Sequence, residues 1–406
     1  MESDWRQLAI LVMGMFLLNL GFSIIMPVLP YYSQNMGASA FDLGLLMASY
    51  SVMQLISAPI LGELSDRIGR KPVFLIGLFG YGASFLIYGF ATGLWMLFAA
   101  RIAGGILSGG MYPASLAYIA DMTNHRDRGK IMGLLGASSA LGMIFGPSVS
   151  GILSVWSLTA PFFVTAAVSL VFGVIGYFVL QESRAVDAHR IRPEKVSIIA
   201  PLRSPMWILF LLAALITFLI SGFQGSFAFY MMGRFGVTEV PSAMPVLGRL
   251  VILTGPTIMA TLFTVMGVAG VACQGMLLGT SIEHIGERKT VIVGLIVTAA
   301  SFFLIIVAPE LVSLMIFSSG IAVGTGLVVP CLNSLVSKRT GEEQQGAVLG
   351  VLGSYNSIGR IAGPPMGGLS YDISTVLPYV IMGSLSVLGA FTAIWTALRI
   401  RARKGG

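Results

Sequence analysis

Charge is scarce in this chain. Only 10% of its 406 residues are Asp, Glu, Lys or Arg, against about 25% in an average soluble domain. A soluble fold of this length needs a charged surface, so that class is excluded. Cysteine is almost absent: Cys273 and Cys331 are the only two. Both stand in apolar stretches and read as small core residues, which excludes a disulfide scaffold and gives no framework for a metal. Acceptors of the Asn-x-Ser/Thr type are missing. So is a nucleotide-holding loop of the Gly-x-x-x-x-Gly-Lys-Ser/Thr type, and no cofactor is expected. Met1 to Gln7 carries Glu2, Asp4 and a single Arg6. It lacks the basic region and cleavage site of a secretory signal, so the first apolar run is expected to stay as a span.

What is present is apolar. Hydrophobic residues make up 56% of the chain, and the mean hydropathy is +0.88. The apolar stretches are continuous rather than alternating, which argues against a membrane β-barrel. A membrane helix needs roughly 20 apolar residues, so the chain has room for about a dozen. Apolar runs between polar turns predict helices near 8–30, 42–62, 73–91, 95–119, 130–152 and 159–181. A second set follows near 206–231, 257–280, 290–308, 311–337, 345–369 and 376–398. The one long polar stretch, 183–205, divides a six-helix bundle at 1–182 from another at 206–406.

The net charge is +7. Of the 24 Lys and Arg residues, 20 fall in alternate loops, the linker and the two ends, all on one side of this layout. That is a membrane-topology pattern rather than a nucleic-acid footprint, and it predicts a multi-pass protein of the cell (inner) membrane with both termini cytoplasmic. The bilayer is then the standing partner, no nucleic acid is expected, and the chain is expected to act as a monomer. The three histidines, His125, His189 and His284, lie on the same side with no nucleophile beside them. No catalytic constellation supports an enzyme.

The halves repeat. A shift of 217 residues pairs Gly62 with Gly279, Gly69 with Gly286, Gly77 with Gly294 and Gly109 with Gly326. The same shift pairs Gly129, Gly133, Gly136, Gly142, Gly146 and Gly151 with Gly346, Gly350, Gly353, Gly359, Gly363 and Gly368. Pro113 and Pro147 match Pro330 and Pro364, and Asp66 matches Glu283. An even number of spans per half makes the repeats parallel, an arrangement of secondary transporters whose cargo site lies between the halves near the midplane. The expected fold is therefore an all-α membrane protein, twelve transmembrane helices in two pseudo-symmetric six-helix bundles. The shift fails for the first span of each half, where Tyr31 aligned with Tyr230 gives 199. The second half thus carries an extra segment near 239–256, where an extracellular elaboration is expected, a short interfacial helix being one form it could take.

Between the second and third spans stands Gly62-Glu-Leu-Ser-Asp66-Arg67-Ile-Gly69-Arg70-Lys71, with a weaker copy from Gly279 to Lys289. This resembles the signature of the major facilitator superfamily in the same loop. Leu20-Gly21 followed by Pro27-Val28-Leu29-Pro30, and Gly142-x-x-x-Gly146-Pro147-x-x-x-Gly151 in the fifth span, resemble the first-span and antiporter motifs of its twelve-span drug/proton exporters. Small residues let helices pack backbone to backbone, and Pro147 loosens its helix. The resemblance implies that Asp66, Arg70 and Asp121, at the end of the fourth span, form a latch that holds the outward-open state. A plainer reading leaves these charges only to fix topology.

Two charged residues fall well inside spans: Arg101 in the fourth and Arg360 in the eleventh. Intramembrane charges mark pathways, although either arginine could instead be held structurally by carbonyls and tyrosines. Arg101-x-x-x-Gly105 resembles the family's proton-linked motif. The resemblance places the cavity wall on spans 1, 4, 7 and 10, giving Asn19, Phe22 and Met26, then Tyr112, then Ser221, Gln224 and Phe227, then Asn333. No carboxylate lies in a span interior. Many relatives of this type carry one in the first or seventh span, where Asn19 and Gln224 stand here. The expected function is export of amphipathic small molecules by proton-coupled alternating access. The second candidate is a lipid, lysolipid or anionic-metabolite exporter of the same fold.

Overall fold

The computed structural model describes residues 2–123, 125–183, 206–246, 249–341 and 344–402. The proposed linker lies outside the described residues apart from Ser183. The chain is helical nearly throughout. The first half contains α1 (Glu2–Gln34), α2 (Ala40–Ile68), α3 (Arg70–Gly89), α4 (Leu94–Ser108), α5 (Met111–Met122), α6 (His125–Ser154) and α7 (Ala160–Val179). The second contains α8 (Trp207–Phe235), strands β1 (Ser242–Val246) and β2 (Arg249–Leu253), and α9 (Gly255–Ala272). It continues with α10 (Leu278–Ile285), α11 (Glu287–Val307), α12 (Leu311–Ser337), α13 (Gln345–Ile373) and α14 (Leu377–Ala402).

Two spans are built from paired helices. Gly109 and Gly110 interrupt the fourth, between α4 and α5. A π-helical turn, Cys273–Leu277, joins α9 to α10 in the eighth. Among the described residues, eleven spans are long and apolar enough to cross a bilayer. The remaining span, the eleventh in chain order, is α13, which has the length but carries Arg360, Asp372, Pro364, Pro365 and a run of glycines. It packs on α8 and α2, so protein rather than lipid surrounds much of it.

Each half has its own hydrophobic core. They exchange a few side chains at one end: Phe229 enters the first core, and Met26 and Tyr31 enter the second. The duplication is visible in buried hydrogen bonds. The Tyr32 hydroxyl donates to the Tyr88 carbonyl at 3.2 Å, and that of Tyr230 to Ile305 at 3.0 Å. Tyr88 and Ile305 are themselves 217 residues apart. The true counterpart of Tyr230 is therefore Tyr32, a shift of 198, one residue less than the Tyr31 alignment gives.

The extra segment is a two-stranded antiparallel hairpin, pairing Ser242 with Leu253 and Val246 with Arg249, not an interfacial helix. Pro241 and Pro245 break a helical ladder, while the Leu250-Val251-Ile252 run suits a strand.

The molecule has two unlike ends. At the end carrying the hairpin the halves meet closely. Ser148 and Thr264 hydroxyls are 2.8 Å apart, joining α6 to α9. The Asn35 amide donates to Glu239 at 2.7 Å, and the Phe41 N–H to the Asp372 carboxylate at 3.1 Å. A methyl on Gly44 would stand 2.7 Å from Pro365 Cα. At the opposite end, which carries Arg67, Arg70, Lys71, Arg288, Lys289 and Lys338, the same helices diverge. Methyls on Gly129, Gly133 and Gly136 of α6, or on Gly346, Gly350 and Gly353 of α13, would meet nothing within 4 Å. The space between the halves opens toward this basic face.

Candidate functional site

The geometry of the site begins with glycines. In α6, Gly142 and Gly146 press on α1. A methyl at Gly146 would reach the Leu20 carbonyl at 2.7 Å, and Ser23 donates to the Gly142 carbonyl at 3.0 Å. In α13, the paired glycines Gly359 and Gly363 press on α8 in the same way, and Ser221 donates to the Gly359 carbonyl at 3.2 Å. Gly151 continues the α6 row and packs against Ala260 of α9. These contacts lock α6 to α1 and α13 to α8 with their backbones nearly touching. A residue beside such a glycine is turned about 100° around the helix. In α13 that residue is Arg360, and it is turned into the space between the halves.

Two chambers occupy that space. The first, about 280 Å³, is lined by Asn19, Phe22, Tyr50, Gln54, Thr217 and Arg360, with Leu18, Met143, Ile220, Ser221 and Gln224. The second, about 360 Å³, is mostly apolar, with Met26, Phe223, Phe263 and Met266 among its walls. They share Met143, Ile220 and Gln224. Neither wall contains a carboxylate. Both volumes lie near the range of small-molecule sites, and a few polar groups in an apolar wall are the usual composition.

The structure brings Asn19, Phe22, Ser221, Gln224 and Arg360 to the first chamber and Met26 and Gln224 to the second. It places three other candidates elsewhere. Phe227 is fully buried in the second-half core, its ring 4.3 Å from that of Phe223. Tyr112 is 52% exposed and lines neither chamber, while its neighbour Met111 is fully buried. Asn333 is exposed near the basic end of α12, outside both chambers.

Arg101 lies behind the wall. It is 3% exposed, its Nε has no hydrogen-bond partner, and its guanidinium sits 5.6 Å from the Tyr50 ring and 5.9 Å from that of Tyr88. Tyr50 in turn shares a hydrogen bond with Ser108 at 3.0 Å. Tyr50, Gln54 and Thr217 are the polar residues of the first chamber's wall that sequence reasoning missed. Tyr50 and Gln54 come from the second span, which was not among those expected to form the wall. A helical-face plot of α2 could have found them, since they stand four residues apart.

At the basic face the signature loop makes a compact cluster. Gly69 turns the chain at φ 107°, a left-handed conformation that suits glycine. Arg70 is buried and pairs with Asp66 and, at 3.4 Å, with Asp121. Arg67 pairs with Glu63 at 2.8 Å on the surface. Lys71 lies 5.2 Å from the Tyr177 ring. Glu182 accepts from the N–H groups of Arg70 and Lys71 at 2.8 and 3.2 Å, capping α3. The Asp66 side chain is 62% exposed, and its ion pair is with its own half. A methyl on Gly62 would stand 3.9 Å from Pro113 Cβ, also in its own half.

The family model of the Major Facilitator Superfamily matches residues 11–256 and 243–406. Multidrug resistance protein 2 of Bacillus subtilis (strain 168) is 28% identical over 394 residues, covering 95% of this chain and 94% of that protein. The class C tetracycline resistance protein of Escherichia coli is 31% identical over 363 residues, 87% of each. Among solved structures, a bacterial homologue of the human lysosomal transporter Spinster, in an inward-facing and occupied conformation, superposes with a TM-score of 0.77. That match covers 96% of both chains at 14% identity, a likeness of fold.

Proposed function

The chain belongs to the major facilitator superfamily, a family of transporters rather than enzymes, and on that premise we propose that it exports amphipathic small molecules by alternating access in exchange for protons. The observation that carries this reading is the pair of chambers between the halves, closed at the hairpin face and open toward the basic face. With the basic face cytoplasmic, cargo enters from inside or from the inner leaflet and leaves when the closure reverses. The names of the relatives, multidrug and tetracycline resistance proteins, support efflux. Membrane helices wall the chambers with methionine, phenylalanine and amides, a combination suited to varied apolar bodies. Asp66 and Asp121, at the basic face beside Arg70, and Asp42, at the hairpin face, are the nearest acids to carry the proton. A second reading keeps the fold and makes the cargo a lipid, lysolipid or anionic metabolite; Arg360 in the chamber wall favours it.

The test is proton release from energised everted vesicles on adding cationic, neutral and anionic amphiphiles. Release with any class, lost in Asp66→Asn vesicles that hold equal amounts of inserted protein, is the expected result. Silence across the panel, with the protein shown to be inserted, would refute proton-coupled export.

A further inference from the structure

We propose that Arg360, with Gln54 and Gln224 beside it, forms an oxyanion subsite, so that the cargo is an anionic amphiphile whose acid group sits in the first chamber and whose apolar body extends into the second. The proposal rests on the exporter reading and names its substrate class.

Arg360 is at the middle of α13, about 20 Å from either end along the helix. Gly359 and Gly363 hold that helix against α8, so the arginine cannot swing away with its backbone. Arg360 is exposed and lines the first chamber. Among the described residues no carboxylate pairs with it. An arginine in a membrane interior is costly and normally faces a partner or a pathway. Here the wall offers none of opposite sign. Arg101, behind Tyr50, adds a second positive charge on the same side. The chamber is therefore positive, and it rejects a cation while drawing an anion.

The neighbours suit an oxyanion. A guanidinium presents paired N–H groups that match a carboxylate or phosphate. Gln54 and Gln224 bring amide donors to the same wall. The Tyr50 hydroxyl donates to Ser108, which itself donates to the Gly104 carbonyl, so Tyr50 lends the wall its ring and not a donor. The polar groups gather in this chamber, while the adjoining one is lined by Met26, Phe223, Phe263 and Met266. One end polar and positive, the other apolar, is the shape of an amphiphile with an acidic head. The Arg101–Tyr50 contact makes Arg101 a positioning residue for Tyr50 rather than a contact of the cargo.

The test uses the full-length protein purified in a neutral maltoside. Binding is followed by dansyl fluorescence for a matched set: dansyl-aminoundecanoate, its primary amide, dansyl-aminoundecyl phosphate and the corresponding amine. The wild type is expected to bind the carboxylate or the phosphate about 10- to 100-fold tighter than the amide, and the amine most weakly. Which acid is preferred tells a fatty-acid type of cargo from a phosphorylated one. Arg360→Gln should bring the acids down to the affinity of the amide and leave the amide unchanged. Arg360→Lys, which keeps the charge, should retain part of the preference and guards against a folding defect. Equal binding of acid and amide by the wild type, or an acid preference that survives in Arg360→Gln, overturns the subsite. Export of the same probes by everted vesicles separates the two readings. Equal export of amide and acids leaves the exporter standing without the subsite. Arg360-dependent binding without export of any probe keeps the subsite and removes the exporter.

Discussion

Asp372→Asn should drive the protein away from the conformation described above, and Asp66→Asn should drive it further in. Helices α2 and α13 run antiparallel and face each other across the two halves. At the hairpin face the Asp372 carboxylate, in the last turn of α13, accepts the Phe41 N–H of the first turn of α2 at 3.1 Å. Ser39 and Asp42 already cap that helix through a reciprocal pair of hydrogen bonds, so Asp372 serves an additional orphan donor. At the other end of α2 stands Asp66, whose partner in this state is Arg70. The antiparallel pairing, Ala40 beside Gly368 and Gly44 beside Pro364, runs Asp66 toward the N-terminus of α13, where a carboxylate makes the corresponding contact when the basic face is closed. A carboxylate at an exposed helix N-terminus is worth about 0.3–1 kcal/mol, and a charge-assisted hydrogen bond raises this toward roughly 1.5 kcal/mol. The i,i+4 pair that Asp66 makes here contributes only about 0.3–0.5 kcal/mol. Each substitution should therefore move the equilibrium between the two states by about 1 kcal/mol, roughly five-fold in population ratio. The assay is spin-label distance measurement between cysteines placed at the exposed positions of Gly133 and Gly350, with Cys273 and Cys331 replaced. Asp372→Asn should raise the short-distance population about five-fold and Asp66→Asn should lower it. Movement of both variants in one direction, or of neither, refutes the reasoning.

Substitutions of glycine by alanine should separate packed from unpacked positions. A methyl at Gly363 would stand 2.6 Å from the Phe218 carbonyl, and backbone cannot yield, so Gly363→Ala should cost about 1–3 kcal/mol and lower the apparent Tm in detergent. Gly350→Ala meets nothing and should instead gain about 0.5–1 kcal/mol from helix propensity; equal losses at both positions would contradict the packing. Phe227→Ala should cost about 3–5 kcal/mol and reduce transport of every cargo in proportion to folded protein. Gln224→Ala, in the chamber wall, should leave Tm unchanged and alter the ranking of cargoes; the reverse pattern would put Phe227 back in the wall.

The fold was legible because its signals are long-range and redundant. Twenty apolar residues in a row cannot be much else than a span, and glycines repeating at one offset identify a duplication whatever each glycine does. Short-range events were not. The resemblance put Tyr112 in the cavity wall, but it is exposed outside both chambers while Met111 beside it is buried, a local difference that span positions do not express. Composition gave no hairpin at 242–253, because two prolines and a short apolar run suit several loop structures equally. The one-residue error at Tyr31 came from aligning letters; the hydrogen bonds to Tyr88 and Ile305 align functions instead. In the site, Asn19, Gln224 and Arg360 stood out as polar groups in apolar runs. Tyr50, Gln54 and Thr217 did not, because a tyrosine, an amide or a threonine in a span has many ordinary uses.

Equivalent glycines end in opposite surroundings for a reason that no single sequence position expresses. Gly142 and Gly146, like Gly359 and Gly363, sit within each half, where they hold the two helices of a pair backbone to backbone. Gly129, Gly133 and Gly136, like Gly346, Gly350 and Gly353, continue the same helices onto the basic face and touch nothing here. Six glycines without a neighbour would be a pure cost in helix propensity, about 1 kcal/mol each against alanine. They are accounted for if another state brings backbones against them, since small residues are what close helix approach requires. The hairpin face shows what such a closure looks like: Gly44 against Pro365, Gly151 against Ala260, and a carboxylate on a helix N-terminus. The basic face holds the same ingredients, glycines on α6 and α13 and the acid Asp66 at the end of α2, still apart. Under the alternating-access reading proposed above, the empty glycines mark where the second conformation closes, and rocking of α2 against α13 exchanges one set of contacts for the other.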